Sequence, residues 1–142
     1  MTWAVCSYTV AENTKQPPEP DGSAQLAKTL AGGAERVLEN LAELEPELRA
    51  AAIIGPGGAP VASSGSDPAW SDRAGDLLAA LDGTEDREID SAHLATDTAE
   101  IFVVREHGLA LVAVTGRFVL ASLTSFDIRM ALRDLAREAG HA

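Results

Sequence analysis

The chain has 142 residues and a formal net charge of −11, and 46% of its residues are hydrophobic. This length favours one domain, and the hydrophobic content is ordinary for a globular fold. A surface this acidic repels phosphates and anionic lipid headgroups, which excludes nucleic acids and membrane surfaces as partners. Only 4% of the residues are aromatic, so the core is expected to consist mainly of alanine, valine, leucine and isoleucine.

The sequence favours a cytoplasmic protein. Cys6 is the only cysteine, which excludes an intramolecular disulfide and suits a reducing compartment. The first residues lack the basic and apolar regions of a secretory signal, and no stretch approaches the roughly 20 apolar residues that span a bilayer. We therefore expect no membrane insertion. Pro17, Pro18 and Pro20 interrupt regular structure, so residues 1–22 are interpreted as a tail and linker, and residues 23–142 as the domain.

The domain is predicted to open with a helix. Ser23 is a suitable N-cap. Apolar residues then recur at intervals of three and four, as on one helical face: Leu26, Leu30, Ala34, Val37, Leu41 and Leu44. Gly32 and Gly33 weaken a helix by about 1 kcal/mol each, which leaves a start after them open. Pro46 disfavours helical geometry at the residue before it and ends the helix.

A β-hairpin is predicted next. Leu48–Ile54 is apolar on both alternating faces, which is typical of a strand that is buried on both sides of its sheet. Residues 55–58 turn the chain, and residues 59–64 return as a second strand. Pro60 cannot donate to a central ladder, so it predicts that this strand lies at an edge of the sheet.

A middle helix and three strands follow. Ser66, Asp67 and Pro68 are typical of a helix start, and Asp82-Gly83 is typical of a helix end. The apolar stripe between them consists of Trp70, Ala74, Leu77, Leu78 and Leu81. Strands predicted at 89–97, 100–106 and 109–115 are joined by short connections, so they are expected to pair antiparallel.

The last segment is predicted as a long amphipathic helix with two apolar stripes. The first consists of Val119, Leu123, Phe126 and Met130, and the second of Ile128, Leu132, Leu135 and Ala139. By periodicity alone, residues 118–123 also fit a sixth strand, and Gly140 lies where a terminating glycine is expected. The predicted order α-β-β-α-β-β-β-α indicates an α+β fold, with a five-stranded antiparallel sheet and helices on both of its faces.

No residue pattern indicates catalysis. The glycine-rich turn Gly55-Pro56-Gly57-Gly58 suggests a phosphate loop, but such loops need a following Lys and Ser/Thr or entry into a helix, and a strand follows here. A hairpin turn is therefore favoured. Cysteine and histidine ligands also lack metal-binding spacing, so no metal site is predicted, and the histidines are expected at the surface or in an interface: Cys6, His93, His107 and His141.

Two sets of charged residues are further candidates. One loop holds Asp82, Glu85, Asp86 and Glu88, and arginines near element ends are Arg73, Arg87, Arg105 and Arg117. Paired carboxylates perform acid–base chemistry only where burial or proximity shifts a pKa. An arginine can stabilise a transferring phosphoryl group. Both sets are interpreted as solvated surface.

The middle helix is a stronger candidate for function. Packing on the sheet explains its apolar stripe, but large aromatic residues also anchor interfaces, and Trp70 is one of two tryptophans. One helix can serve both roles with different faces.

With this order of elements, residues 33–139 resemble the Roadblock/LC7 family, and most of all its bacterial branch. The resemblance rests on LRAAAIIGPGGAPVASSG, on the helix that begins at Trp70, on the strands IFVVREHGLALVAVTG and on the closing helix SLTSFDIRMALRDLAREA. It implies a five-stranded antiparallel sheet between helices, related to profilin-like and longin domains. Family members typically dimerise through the middle helix and the neighbouring strand, which implies a homodimer interface at Trp70, Ala74, Leu77, Leu78, Leu81, Ala92 and Leu94.

The resemblance also implies a function. Roadblock/LC7 domains bind small GTPases or sit in larger complexes, and some bacterial members stimulate GTP hydrolysis by their partner while catalysing nothing themselves. The expectation is a non-catalytic, cofactor-free dimeric scaffold that binds and regulates a Ras-like small GTPase. Two alternatives stay open: a purely structural subunit of a larger complex, and a sensor that holds a small ligand beside Phe102, Val104 and Val112.

Overall fold

A computed structural model describes the backbone of residues 20–141 and the side chains of residues 30–139. Within these ranges the elements follow in the order α1 (Pro20–Leu44), β1 (Leu48–Ile54), β2 (Pro60–Ser64), α2 (Trp70–Glu85), β3 (Ser91–Ala95), β4 (Glu100–Glu106), β5 (Leu109–Thr115) and α3 (Ala121–Ala136). The α+β prediction is confirmed. Residues 118–123 form no sixth strand, because α3 begins at Ala121.

The five strands form one sheet in the order β2-β1-β5-β4-β3, and every neighbouring pair is antiparallel. β2 lies at one edge, as Pro60 predicts, and β3 lies at the other. The turn between β4 and β5 consists of His107 and Gly108, whose φ angles are +54° and +79°. Positive φ at both positions is what a two-residue hairpin turn requires, because its twist then matches that of the strands.

Helices cover both faces of the sheet, as predicted. α1 and α3 pack on one face, around the fully buried Phe102 and Leu111. α2 packs on the other face, around Val103 and Val112. Alternate residues of a strand point to opposite faces, so β1 contributes to both cores and is buried on both sides, as its apolar sequence predicts.

The first helix differs from the prediction at its start. α1 begins at Pro20 rather than Ser23, because the missing N–H of a proline is tolerated in the first helical turn. The helix also continues through Gly32 and Gly33, so a start after the glycines is wrong. A Cβ on Gly33 would lie 3.1 Å from the Leu135 side chain. Glycine at this position therefore lets α1 and α3 approach closely.

Several other element ends are shifted as well. α2 begins at Trp70, after a turn in which Asp67 Oδ1 accepts the Ala69 N–H (2.9 Å), and it runs past Asp82-Gly83 to Glu85. Its left-handed C-cap is Asp86, with φ +60°, instead of Gly83. β3 is shorter than the predicted 89–97. Gly140 does not stop the last helix, since a π-helical turn spans Arg137–His141.

Candidate functional site

The predicted interface residues divide into two groups. Ala74 and Leu78 are buried in the core beneath α2, with 0% and 6% of their surface exposed. The other five remain at least partly open to solvent, and we call them the α2–β3 surface: Trp70, Leu77, Leu81, Ala92 and Leu94. The first four pack against this core. Leu94 is the large apolar side chain on β3, and 37% of its surface is exposed. It lies two residues from Ala92 and so shares its face of the sheet.

The α2–β3 surface is open because one helix is too narrow for the sheet. α2 packs mainly over β1 and β2. Ile101 on β4 and Ala92 on β3 border the same core, but they are only half-buried. This side of the face therefore carries apolar side chains that no helix of the described chain covers fully.

The backbone of β3 is also open. Asp90 O accepts the N–H of Arg105 on β4, and the Thr96 N–H donates to Ala99 O, both at 2.8 Å. By alternation, Ala92 and Leu94 also direct their backbone groups towards β4, while Ser91, His93 and Ala95 direct theirs away from the sheet. β3 contains no proline or lysine, which commonly protect an edge strand. By contrast, β2 begins with Pro60, and the register of its pairing with β1 shifts after Ile53.

An ion pair fixes α2 relative to β4. The Arg105 guanidinium donates to both carboxylate oxygens of Asp82, at 2.9 and 2.7 Å, and to Ile89 O at 2.9 Å. The Asp82 carboxylate raises the pKa of Arg105. The interpretation of both side chains as solvated is wrong, because they are only 17% and 26% exposed. This pair holds the end of α2 against β4 and the residues that enter β3.

The glycine-rich turn is a hairpin turn, as favoured, with a short 3₁₀ segment at Pro56–Gly58. It borders a cavity of about 270 Å³ together with Leu78, Asp82 and Arg105. The guanidinium in this cavity is already neutralised by a bidentate carboxylate. Arg105 is therefore not free to bind a phosphate in this cavity.

His93 and Glu100 form a contact on the opposite face of β3 and β4. The His93 ring stacks on Phe102, with 4.5 Å between centroids, and its Nε2 lies 2.8 Å from Glu100 Oε1. The other oxygen of Glu100 accepts the Phe118 N–H at 2.7 Å. These two hydrogen bonds lower the pKa of Glu100. The sequence predicted His93 at the surface or in an interface, and its side chain is 41% exposed. Glu100 was not predicted.

The remaining candidates are mostly surface residues. Arg87 and His107 are exposed, and Arg73 makes an exposed ion pair with Asp67 at 3.2 Å. Glu85, Asp86 and Glu88 are exposed as well, as interpreted. Arg117 is not simply solvated, since it donates to Thr96 O and stacks over the Phe118 ring at 4.7 Å.

Among the described residues, no three His, Cys, Asp or Glu side chains are grouped so that they would hold a metal ion. Cys6 and the His141 side chain lie outside those residues. Within the described helices, none has the length and apolar composition that crossing a membrane requires.

Glu45 is a buried carboxyl group that the sequence reasoning missed. It follows α1 and is 7% exposed. One of its oxygens accepts the Thr124 hydroxyl at 3.0 Å. Burial, together with the neighbouring Asp127 carboxyl, raises the pKa of Glu45 to about 7. The signal was its spacing, four residues after the buried Leu41, which continues the inward stripe of α1.

The expected ligand pocket is wrong. Phe102 and Val104 belong to the core under α1 and α3, whereas Val112 belongs to the core under α2. The three side chains lie on opposite faces of the sheet and are at most 1% exposed. They cannot line one cavity.

No protein-family model and no curated protein sequence matches the chain. Solved structures do match. The gliding protein MglB from Thermus thermophilus superposes with a TM-score of 0.62 and 17% identity, over 80% of this chain and 93% of MglB. A Roadblock/LC7 domain from Streptomyces avermitilis superposes with a TM-score of 0.56 and 19% identity, over 70% of this chain and 90% of that domain. A structure described as MglB with tetrameric arrangement superposes with a TM-score of 0.58 and 17% identity, over 79% of this chain and 91% of that structure's chain. The chain therefore has the Roadblock/LC7 fold.

Proposed function

We propose that this chain is a non-catalytic, homodimeric scaffold that binds and regulates a Ras-like small GTPase. The observation that carries the proposal is the open β3 edge beside the α2–β3 surface, in a chain with the Roadblock/LC7 fold. Family resemblance supplies the class of partner, because Roadblock/LC7 domains commonly bind small GTPases. The proposal places the hydrolytic residues in the GTPase.

In the proposed dimer, two β3 strands pair antiparallel. The outward backbone groups of Ser91, His93 and Ala95 are spaced at every second residue, as an antiparallel ladder needs. A two-fold axis beside His93 brings Ser91 of one copy opposite Ala95 of the other. Leu94 and Ala92 then meet the second copy, and the apolar side chains that α2 leaves open become covered. A twofold interface of this kind is self-complementary.

Leu94→Arg tests the dimer. An arginine at this 37% exposed site adds a charge to the proposed seam while leaving the protomer core intact. We expect a monomer by light scattering, at concentrations where the unaltered chain is a dimer. Leu78→Glu is a poorer test, because Leu78 is buried inside the protomer and its loss would unfold the chain.

The matched control is Leu44→Arg. Leu44 is 63% exposed and lies on the helix layer at the other face of the sheet. This variant is expected to keep the mass of the unaltered chain. A Leu94→Arg protein that stays dimeric would rule out the β3 seam.

The GTPase partner is tested with purified small GTPases encoded in the same genome, each loaded with GDP or with a non-hydrolysable GTP analogue. Tighter binding to one nucleotide state, or a changed rate of GTP hydrolysis, supports regulation. Binding of equal strength in both states supports the purely structural subunit instead. If no GTPase binds, the proposed partner is wrong, whatever the oligomeric state.

A further inference from the structure

Most large apolar side chains that are exposed in the described chain gather at one end of the α1–α3 layer. Leu94 lies on β3, but the other five lie where α1 ends and α3 begins: Leu44 (63% exposed), Phe118 (85%), Leu120 (67%), Leu123 (51%) and Phe126 (58%). Single exposed apolar residues are ordinary on protein surfaces, whereas a cluster of this kind marks a binding surface.

The cluster exists because α3 has two apolar stripes and the sheet buries only one. Ile128, Leu132 and Leu135 face the core and are at most 1% exposed. The other stripe, which consists of Leu123, Phe126 and Met130, points away from the core. Along α3 these residues and Leu120 are spaced at three and four positions, so they form one row about 15 Å long at 1.5 Å per residue. That row matches two to three turns of another helix.

Phe126 and Met130 of this row also line a groove between α1 and α3, which we call the helix groove. Val37, Leu41 and Leu44 of α1 line it, opposite Phe126, Met130 and Ala131 of α3. Its cavity measures about 140 Å³. That volume is below the roughly 300–1,000 Å³ of small-molecule sites. The groove is suited instead to an apolar side chain that projects from a partner.

Carboxylates lie on the rim of the helix groove and along the exposed side of α1. Asp127, Asp134 and Glu138 lie on the rim. Glu35, Glu39 and Glu43 are exposed along α1 at intervals of four residues, where like charges repel one another. Two rim carboxylates pair with arginines of the chain itself: Glu138 with Arg36 at 2.7 Å, and Asp134 with Arg137 at 2.9 Å. The α1 glutamates have no ion pair among the described residues.

We propose that the helix groove binds an amphipathic helix of a partner protein that carries lysine or arginine beside its apolar residues. The row on α3 provides the contact for anchors at i, i+3, i+4 and i+7, which is how a helix is recognised in a groove. The acidic rim favours a basic flank. A second copy of this chain would bring a net charge of −11 against the same carboxylates, so the charge opposes self-association here. The proposal does not depend on the dimer or the GTPase.

The test uses the full chain and a displayed library of helical peptides of about 16 residues, long enough for the four anchors of a helix in a groove. Apolar residues are fixed at i, i+3, i+4 and i+7, and the other positions are random. Peptides are selected on the unaltered chain and counter-selected on Phe126→Ser. We expect survivors enriched in lysine and arginine. No survivors, or survivors without a basic excess, would overturn the proposal.

One enriched peptide is then measured by fluorescence anisotropy. Leu123→Ser is expected to weaken its binding at least tenfold, and Glu43→Lys severalfold, with weaker binding at higher salt. Asp76→Lys, at an exposed position of α2 on the opposite face of the sheet, is the matched control for the charge and is expected to leave the affinity unchanged. Circular dichroism verifies that the variants are folded. Equal affinities for the unaltered chain and Leu123→Ser contradict the proposal.

Other occupants give different results. If residues 1–19 occupy the helix groove, their deletion raises peptide affinity at least tenfold. If a second copy occupies it, Leu123→Ser lowers the mass measured by light scattering. If a membrane does, the unaltered chain sediments with phosphatidylserine vesicles and Phe126→Ser does not. Each of these results would replace the proposed partner helix.

Discussion

The two faces of the sheet differ in how completely the chain covers them. On the α1–α3 face, two helices enclose large side chains such as Phe102 and Ile128, which are 0% exposed. On the α2 face, one helix buries Ala74 and Leu78 but leaves Leu77 and Ile101 half-buried. A central strand is apolar on both sides, so both faces require cover. The comparison shows that this chain covers one face completely by itself and leaves the other face partly open.

Neighbouring residues of β4 test this difference most strongly. Phe102→Ala is expected to lower the free energy of unfolding by about 3–5 kcal/mol, because it empties space inside a closed core. Ile101 points to the α2 face. In the Leu94→Arg background, which we expect to be monomeric, Ile101→Ala should cost about 1–2 kcal/mol, because the Ile101 side chain is only partly buried. Urea unfolding measures both. Equal losses would mean that the two faces are equally closed.

The ion pair at the end of α2 is the next largest effect. Asp82→Asn is expected to lower stability by about 2–3 kcal/mol, since Arg105 then keeps a poorly exposed charge without its carboxylate. The matched control is Asp67→Asn, which breaks the exposed pair with Arg73 and should change stability by less than about 1 kcal/mol. If both variants lose equally little, the Asp82–Arg105 pair does not hold α2 on the sheet.

Glu45 predicts a pH dependence that belongs to the α1–α3 face. Its pKa is about 7 in the folded chain and near 4.5 when unfolded. The folded chain therefore binds more protons between these values, so this group lowers stability as the pH rises from 4.5 to 7. The expected loss is on the order of 2 kcal/mol, since one pKa unit corresponds to about 1.4 kcal/mol.

Glu45→Gln removes this titration while its amide oxygen still accepts the Thr124 hydroxyl. The difference in unfolding free energy between the variant and the unaltered chain should grow in the variant's favour from pH 4.5 to pH 7. The lowered pKa values of Glu100 and Glu106 act below that window, since their contribution is lost as the pH falls. They cancel in the difference. Parallel stability curves would contradict the assignment to Glu45.

The smallest expected effect comes from alanine substitutions at Gly32 and Gly33, which test how closely α1 and α3 approach each other. At Gly32 an added Cβ meets nothing within 4 Å, so Gly32→Ala is expected to raise stability by up to about 1 kcal/mol through helix propensity. At Gly33 it would crowd Leu135 and Glu138 at 3.1 Å, so Gly33→Ala should bring no gain. Thermal unfolding compares the two. A gain of the same size at both positions would indicate looser packing.

The order of elements was predictable from local signals. Alternation and short turns placed β4 and β5 at their observed bounds, and Pro60 placed β2 at an edge. Helix ends were less predictable, because partners distant in sequence set them. Gly83 is a good signal for a helix end, but the neighbouring Asp82 is bound by Arg105 on β4, and the helix continues to Glu85.

The candidate surfaces were only partly predictable. Periodicity found the apolar stripe of α2, but it could not separate the buried Leu78 from the half-buried Leu77, because that depends on where the helix lies across the sheet. It also gave α3 two stripes without showing which one the core takes. Glu100 was missed because its burial results from contacts with residues far away in the sequence. Glu45 did carry a local signal, its spacing after Leu41, but its partner Thr124 lies on a distant helix.

Phe118 illustrates a conflict between local conformation and surface. Its φ is +67°, in the left-handed region where a side chain costs about 1–2 kcal/mol and glycine costs little. The N–H bond to Glu100 needs only its backbone, and the ring is 85% exposed. A chain optimised for folding alone would carry glycine here. We therefore expect selection of Phe118 variants to give opposite results for the two properties. Glycine should be enriched when variants are selected for stability, and depleted when they are selected for binding of the proposed partner helix.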